Sequence, residues 1–290
     1  MKIAIYTREL KIGDNSFIKE MFQALEENNI EVLVCKVFSE SFFDGFDVSK
    51  YPVFSSYQEL DEVDFLFSIG GDGTLLETVD LVRDSNIPVL GINTGRLGYL
   101  SSITTDEIRY AIESIVSGKF ELDSRSLLAL DTSEKFFGDK NYALNEVTVQ
   151  KKDTSSMITI HVYLNDEFLN SYWADGLIVS TPTGSTAYSL SCNGPIVLPD
   201  SGNIIITPIA PHNLNVRPLV ISDDTKITLK IEGRTDNFLT AIDSCSVTMP
   251  ITTEIEINKA LHKVNLIRFN EYNLLSTLRN KLMWGLDKRN

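Results

Sequence analysis

Cysteine and histidine are scarce in this chain, with three of each in 290 residues. Cys35, Cys192 and Cys245 are odd in number and far apart, and no Cys-x-x-Cys pair or neighbouring histidine cluster accompanies them. A disulfide framework or a zinc centre is therefore a poor fit, and reduced, packed thiols are expected. Long apolar runs are missing too. No stretch reaches the ~18 apolar residues of a membrane span, and residues 1–6 read as a strand rather than a signal peptide, so a cytoplasmic protein with no membrane partner is expected. Positive charge is in deficit: 26 Lys and Arg face 40 Asp and Glu, a formal net charge of −14. That balance argues against nonspecific binding to nucleic acid or an anionic membrane, while leaving room for local phosphate sites. Long repeats, coiled-coil heptads and low-complexity linkers are also missing. What is present is 43% hydrophobic and 23% charged, enough apolar surface for two domains or one large one.

The first part reads as alternating strands and helices. Residues 2–6, 30–37, 65–69 and 87–92 are short apolar runs, and Phe17, Met21, Phe22 and Leu25 recur at helical spacing, as do Ile108, Ala111, Ile112 and Ile115. This predicts an α/β domain over residues 1–122 with an open parallel sheet, whose ligands gather beyond its carboxyl edge. From about residue 123 the pattern changes to shorter runs rich in Val, Ile and Thr, at 127–130, 143–149, 157–164, 168–172, 204–206, 226–231 and 254–257. A strand-rich domain is expected over 123–265, with reversals at Asn165-Asp166 and Asp223-Asp224. Residues 266–290 return to helical periodicity through Leu274, Leu275, Leu278 and Leu282, ending with Trp284 and Gly285, and are expected to pack back on the first domain. His161 alternates on a half-buried strand and reads as structural or exposed; His212 lies in a loop without an evident partner, and His262 stands alone.

Three places carry chemistry. Gly70-Gly71-Asp72-Gly73-Thr74 follows an apolar run and precedes the helical stretch Leu75, Leu76, Val79 and Val82, so backbone N–H groups and a helix N-terminus can meet phosphate. A carboxylate beside phosphate is unfavourable unless it binds a metal, accepts a proton or hydrogen-bonds a ligand hydroxyl, and the competing reading is an Asp in a tight turn. Asn93-Thr94-Gly95-Arg96-Leu97-Gly98 adds an amide and a guanidinium at the next strand exit, with Arg96 either on phosphate or solvated. Asn145-Glu146 can satisfy vicinal hydroxyls or merely form a turn. Asp175-Gly176 leads into Thr181-Pro182-Thr183-Gly184-Ser185-Thr186-Ala187-Tyr188-Ser189-Leu190-Ser191, which combines hydroxyls, glycine and an aromatic surface in a loop able to surround a nucleotide. No lysine follows Gly184, so this is no P-loop, and with no Gly-x-Ser-x-Gly elbow a hydrolase is the weaker class.

In this order the motifs resemble the NAD kinase family over most of the chain. The glycine motif alone would also resemble diacylglycerol and sphingosine kinases; the Thr-Pro-Thr-Gly-Ser-Thr-Ala-Tyr block selects NAD kinase. The resemblance implies an N-terminal α/β Rossmann-like domain followed by a β-sandwich-like domain, an active site between them, and a homodimer or homotetramer. It implies transfer of the ATP γ-phosphoryl group to the adenosine ribose 2′-hydroxyl of NAD, giving NADP and ADP, with Asp72 as general base and Mg²⁺ or another divalent cation as cofactor. The resemblance also implies that Gly73 joins Asp72 at the nucleotide. By the same resemblance Asn145 and Glu146 are expected to engage the dinucleotide and its ribose, with Asp175, Thr186, Ala187, Tyr188, Ser189, Leu190, Ser191 and Ala210 as further binding positions. Two positions depart from the family pattern: Asn193-Gly194-Pro195 stands where many relatives resemble Gly-Gly-Pro, and Cys245 stands where some have glutamine after Asp-Ser or Asp-Gly. Metal ligands, use of NADH and inorganic polyphosphate as donor stay open. The rival functions are a lipid kinase and a nonenzymatic NADP-binding sensor.

Overall fold

The structure is a computed structural model describing residues 1–9, 16–41, 46–95, 98–152, 157–269 and 274–283. The chain divides into two compact units, Met1–Asp123 with Asn265–Asn290, and Ser124–Val264.

In the first unit β1 (Lys2–Tyr6), β2 (Glu31–Cys35), β3 (Val53–Phe54), β4 (Phe65–Gly70) and β5 (Val89–Asn93) form a parallel sheet in the order β3-β2-β1-β4-β5, and β6 (Ile103–Thr104) pairs with β5. All five residues of β5 and four of the five in β2 are buried, as expected of parallel strands covered on both faces. Helix α1 (Ser16–Glu27) buries Ile18, Met21, Phe22, Ala24 and Leu25, and α2 (Lys36–Ser39) is a single turn. Val37, which the apolar run places at the end of a strand, sits instead in α2, because the chain turns as soon as β2 leaves the sheet. Helix α3 (Asp72–Val82) follows β4, and α4 (Ile108–Val116) follows a capping box in which Thr104 and Glu107 satisfy each other's ends.

The second unit is antiparallel. Strands β7 (Glu121–Thr132) and β8 (Tyr142–Ala143) pair with each other, while β9 (Glu146–Lys151), β10 (Ile158–Leu164), β11 (Glu167–Ala174), β12 (Gly176–Ser180), β13 (Asn203–Ile209), β14 (Leu219–Ser222), β15 (Ile227–Glu232), β16 (Asn237–Ile242) and β17 (Cys245–Pro250) supply the rest. One sheet runs β14-β13-β12-β9-β16-β17. Facing it, β11, β10 and β15 continue to the start of β18 (Ile255–Arg268). One apolar cluster joins the two faces, with Val147, Val149, Leu177, Val179, Ile204, Ile206 and Phe238 on the six-stranded side and Ile158, Ile160, Val162, Leu229 and Ile255 opposite. This is a β-sandwich built from strands whose side chains alternate.

Val147 and Val149 point into that core, so Glu146, Thr148 and Gln150 occupy the other face of the same sheet. There the chain forms a 3₁₀ turn (Thr183–Thr186) and the short helix α5 (Tyr188–Ser191). The last residues of β18 belong to the first unit, where Leu266 pairs in parallel with Val89; α6 (Leu274–Lys281) buries Leu278. Trp284 and Gly285 lie outside the described residues. No helix among the described residues is long and apolar enough to cross a membrane.

Candidate functional site

In the first unit, the parallel pairing Tyr6↔Ser68 and Gly70↔Asn93 brings the exits of β1, β4 and β5 together at the carboxyl edge. Gly70 has φ +155°, and a Cβ there would stand 2.3 Å from Thr74 Oγ1, so the chain turns into α3 only because this residue has no side chain. Gly71 is the N-cap, and its carbonyl accepts from the N–H groups of Thr74 and Leu75. Asp72 is thus the first residue of α3 rather than part of a free turn.

The Asp72 carboxylate has fixed partners. Tyr99 N–H donates to Oδ2 at 2.7 Å, while Leu100 N–H at 3.2 Å, Ser101 N–H at 3.4 Å and Ser101 Oγ at 3.5 Å approach Oδ1. Gly98 makes the approach possible, since a Cβ on it would fall 1.8 Å from Asp72 Oδ1. Oδ2 accepts one hydrogen bond among the described residues and has lone-pair capacity for another. By contrast a Cβ on Gly71 or Gly73 would meet nothing within 4 Å. Protein packing requires glycine at 70 and 98; at 71 and 73 the space beside the backbone is open for a ligand. Asn93 is buried and its Oδ1 accepts from Gly95 N–H at 2.7 Å, so its side chain shapes the loop. Arg96 and Leu97 lie outside the described residues.

In the second unit, Asn145 and Glu146 are held by a residue about a hundred positions away. Asp243 sits at φ +48° in the turn from β16 to β17; its Oδ2 accepts from Leu144 N–H at 2.9 Å, and its Oδ1 from the N–H groups of Asn145 at 2.8 Å and Glu146 at 3.0 Å. Thr181 closes the other side, with its N–H on Asn145 O at 2.9 Å and its Oγ1 on Leu144 O at 2.6 Å. Gly184 packs so tightly that a Cβ would lie 2.2 Å from Asn145 O.

Glu146 is 7% exposed, and its Oε2 is buried with no hydrogen-bond partner among the described residues. Burial first, and then the nearby charge of Asp243, push its carboxyl up to about 8, against a smaller lowering by the N–H of Tyr188. The folded chain therefore keeps a proton that the unfolded chain releases at its ordinary 4.5. This stabilisation is complete below the unfolded value and is lost as pH rises through the folded one. Glu146→Gln, which stays neutral, is expected to gain about 2 kcal/mol on wild type between about pH 6 and pH 9, roughly 5 °C in Tm. Thermal melts of both proteins without nucleotide check this, and parallel curves would contradict it.

The other candidates lie on short elements and turns next to the strands of this sheet. Tyr188 opens α5, is 38% exposed and receives Gln150 Nε2 at 3.4 Å on its hydroxyl. Asp175 pairs with Lys151 at 2.6 Å. Thr186 donates to Thr183 O and Ala187 N–H to Gly184 O, which closes the 3₁₀ turn. Ser189 is fully buried and shares a hydrogen bond with Thr207 at 2.9 Å, whereas Leu190 is half-buried and Ser191 exposed. Ala210 is exposed with φ +43° just after β13. His212 stacks near Trp173, centroids 4.6 Å apart; His161 faces Ser171 and Glu232, and the ring of His262 packs on Tyr142. Sequence reading missed Asp243 as a holder of residues 144–146, the backbone of residues 99–101 as a holder of Asp72, and buried Arg125, whose guanidinium donates to Thr183 Oγ1 at 3.1 Å. Nothing in local spacing signals contacts between residues so far apart in the chain.

Comparison with known proteins decides among the readings. Residues 3–120 match the model of the ATP-NAD kinase N-terminal domain, and residues 144–269 that of the ATP-NAD kinase C-terminal domain. The chain belongs to the NAD kinase family. Relatives of this kinase include the NAD kinase of Flavobacterium psychrophilum, 47% identical with all of both chains aligned, and that of Bacteroides fragilis, 42% identical, likewise over the full length of both. Among solved structures, an NAD kinase from Archaeoglobus fulgidus in complex with ATP is similar at a TM-score of 0.75 and 25% identity, covering 98% of this chain and 99% of that one. Yeast NADH kinase complexed with NADH shares the fold at a TM-score of 0.87, covering 98% and 88%. The expected α/β domain followed by a β-sandwich is the architecture of this NAD kinase.

Proposed function

We infer that this NAD kinase transfers the γ-phosphoryl group of ATP to the adenosine ribose 2′-hydroxyl of NAD, yielding NADP and ADP. Family membership over the whole chain supports the reaction class; the observation that carries the assignment of roles is the Asp72 carboxylate, oriented by backbone donors at a helix start beside two glycines with open space. As general base, Asp72 takes the hydroxyl proton while the ribose oxygen bonds to the γ-phosphorus and the bond from that phosphorus to the β,γ-bridging oxygen breaks. The start of α3, with open space beside Gly71 and Gly73, favours phosphate there. The unpartnered Glu146 Oε2 supports Asn145 and Glu146 as the pair that receives ribose hydroxyls, with Asp175, Ala210 and residues 186–191 as further dinucleotide contacts.

Among the described residues no three His, Cys, Asp or Glu side chains gather to hold a metal ion. A Mg²⁺ arriving with ATP would need few protein ligands. Such an ion would neutralise charge on the transferring group. The three free cysteines suit a reducing cytoplasm. A homo-oligomer, and polyphosphate as a second donor, belong to the same proposal and are checked by light scattering and by donor substitution.

Incubating the purified protein with ATP, Mg²⁺ and either NAD or diacylglycerol tests the acceptor. NADP in the first arm supports the reading; lipid phosphate alone, or tight NADP binding without any ATP consumption, overturns it. The role of the glycines has its own test. Gly73→Ala places a methyl in open space within a helix, so the fold should gain up to about 1 kcal/mol. Nucleotide affinity should nevertheless fall by about tenfold or more, as expected where backbone and phosphate must approach closely. A variant both more stable and equally active would remove phosphate from that turn.

A further inference from the structure

We propose that Asp243 is the positioning residue for the ribose-recognition pair Asn145 and Glu146, an assignment that rests on the dinucleotide reading of that pair. Three consecutive backbone N–H groups, of Leu144, Asn145 and Glu146, converge on its carboxylate within 3.0 Å, and its own N–H returns a bond to Glu146 O at 3.0 Å. The residue holds this place at φ +48°, in the left-handed region that aspartate, like asparagine, enters more readily than most residues. This turn lies between β16 and β17, and the bonds its conformation permits reach across to the chain entering β9.

The geometry has two consequences. Charge-assisted bonds fix the backbone from which Asn145 and Glu146 project, so their side chains meet the sugar already oriented. The same negative charge stands beside the buried Glu146 carboxyl and opposes its ionisation. The remaining titratable neighbours are Tyr188 and Cys192, on α5 and at its end, both of which interact with Glu146 electrostatically. The N–H of Tyr188 bonds to the Glu146 carboxyl, while among the described residues no group hydrogen-bonds its Oε2. Asp243 thus sets both the place and the proton state in which Glu146 meets a hydroxyl. Asparagine cannot replace it, because one end of the amide would turn an NH₂ against a backbone N–H.

The test uses the full chain and two substitutions, Asp243→Asn, which removes the charge, and Asp243→Glu, which keeps the charge and displaces it. KM for NAD, KM for ATP, kcat and the pH profile of kcat/KM for NAD are measured, with NADP formation by wild type as reference. Asp243→Asn is expected to raise KM for NAD by about 10- to 100-fold, the worth of charge-assisted hydrogen bonds, with KM for ATP nearly unchanged. The inflection due to Glu146 should move to lower pH. Asp243→Glu should raise KM for NAD while leaving that inflection close to wild type. If Asp243→Asn does not fold, Asp243→Glu with an unchanged KM for NAD overturns the proposal by itself. Equal losses towards both substrates with an unmoved inflection would mean that Asp243 serves the fold only. A wild type that makes no NADP would instead overturn the dinucleotide reading, so the two failures are distinguishable.

Discussion

Replacing Asp72 by asparagine is expected to lower phosphoryl transfer by about 10²- to 10⁴-fold, the range for a positioned general base, while KM for ATP and NAD changes little. The amide cannot accept the hydroxyl proton. It also fits its surroundings less well, because Oδ2 faces Tyr99 N–H and Oδ1 faces the N–H groups of Leu100 and Ser101. Either orientation of the Asn amide sets an NH₂ against a backbone donor, at a cost of about 1–3 kcal/mol. The variant should therefore melt earlier than wild type yet remain folded at room temperature. Steady-state kinetics and a thermal melt on the same preparation separate the two effects. Turnover within severalfold of wild type would remove Asp72 from the proton transfer.

A second large effect needs no change at Asp72 itself. Gly98→Ala would put a methyl carbon 1.8 Å from Asp72 Oδ1, 2.2 Å from Cγ and 2.4 Å from Oδ2, so the carboxylate or the loop must shift. A misplacement of about 1 Å in a catalytic group can lower turnover about 10²-fold. Gly98→Ala should lose activity on that scale with its carboxylate intact, and overpacking should cost about 1–3 kcal/mol of stability. An active Gly98→Ala enzyme would mean that the held orientation of Asp72 is unimportant to the reaction.

The sequence carried the architecture well where periodicity was strong. The helical spacing of Phe17 to Leu25 and of Ile108 to Ile115 appears as α1 and α4, and the alternation around His161 appears as β10 with Ile158, Ile160 and Val162 inward. Strands β16 and β17 were harder to read, since Asn237, Thr240 and Ser246 dilute their apolar signal and only pairing with β9 and with each other defines them. The closing strand β18 runs 14 residues through Lys259, His262 and Lys263, which hide its apolar positions.

The candidate residues were legible as motifs because each needs an unusual composition: glycines around a carboxylate, or hydroxyls around Gly184. Their supports were not. Asp243 and the backbone of residues 99–101 act through contacts between chain segments that no spacing rule links, and Gly98 reads as a loop glycine until a Cβ is built on it. Asp72 itself shifted in meaning, from a turn residue to the first residue of α3.

The most direct test of the account follows the γ-phosphorus. Wild-type protein is given γ-labelled ATP, Mg²⁺ and NAD, and the product is assayed both for label and as substrate for a dehydrogenase specific for NADP. Label in a dinucleotide that this dehydrogenase reduces, with ADP in equal amount, is the predicted result. Label that remains in ATP, or is released as inorganic phosphate while folded protein and NAD are present, would contradict it.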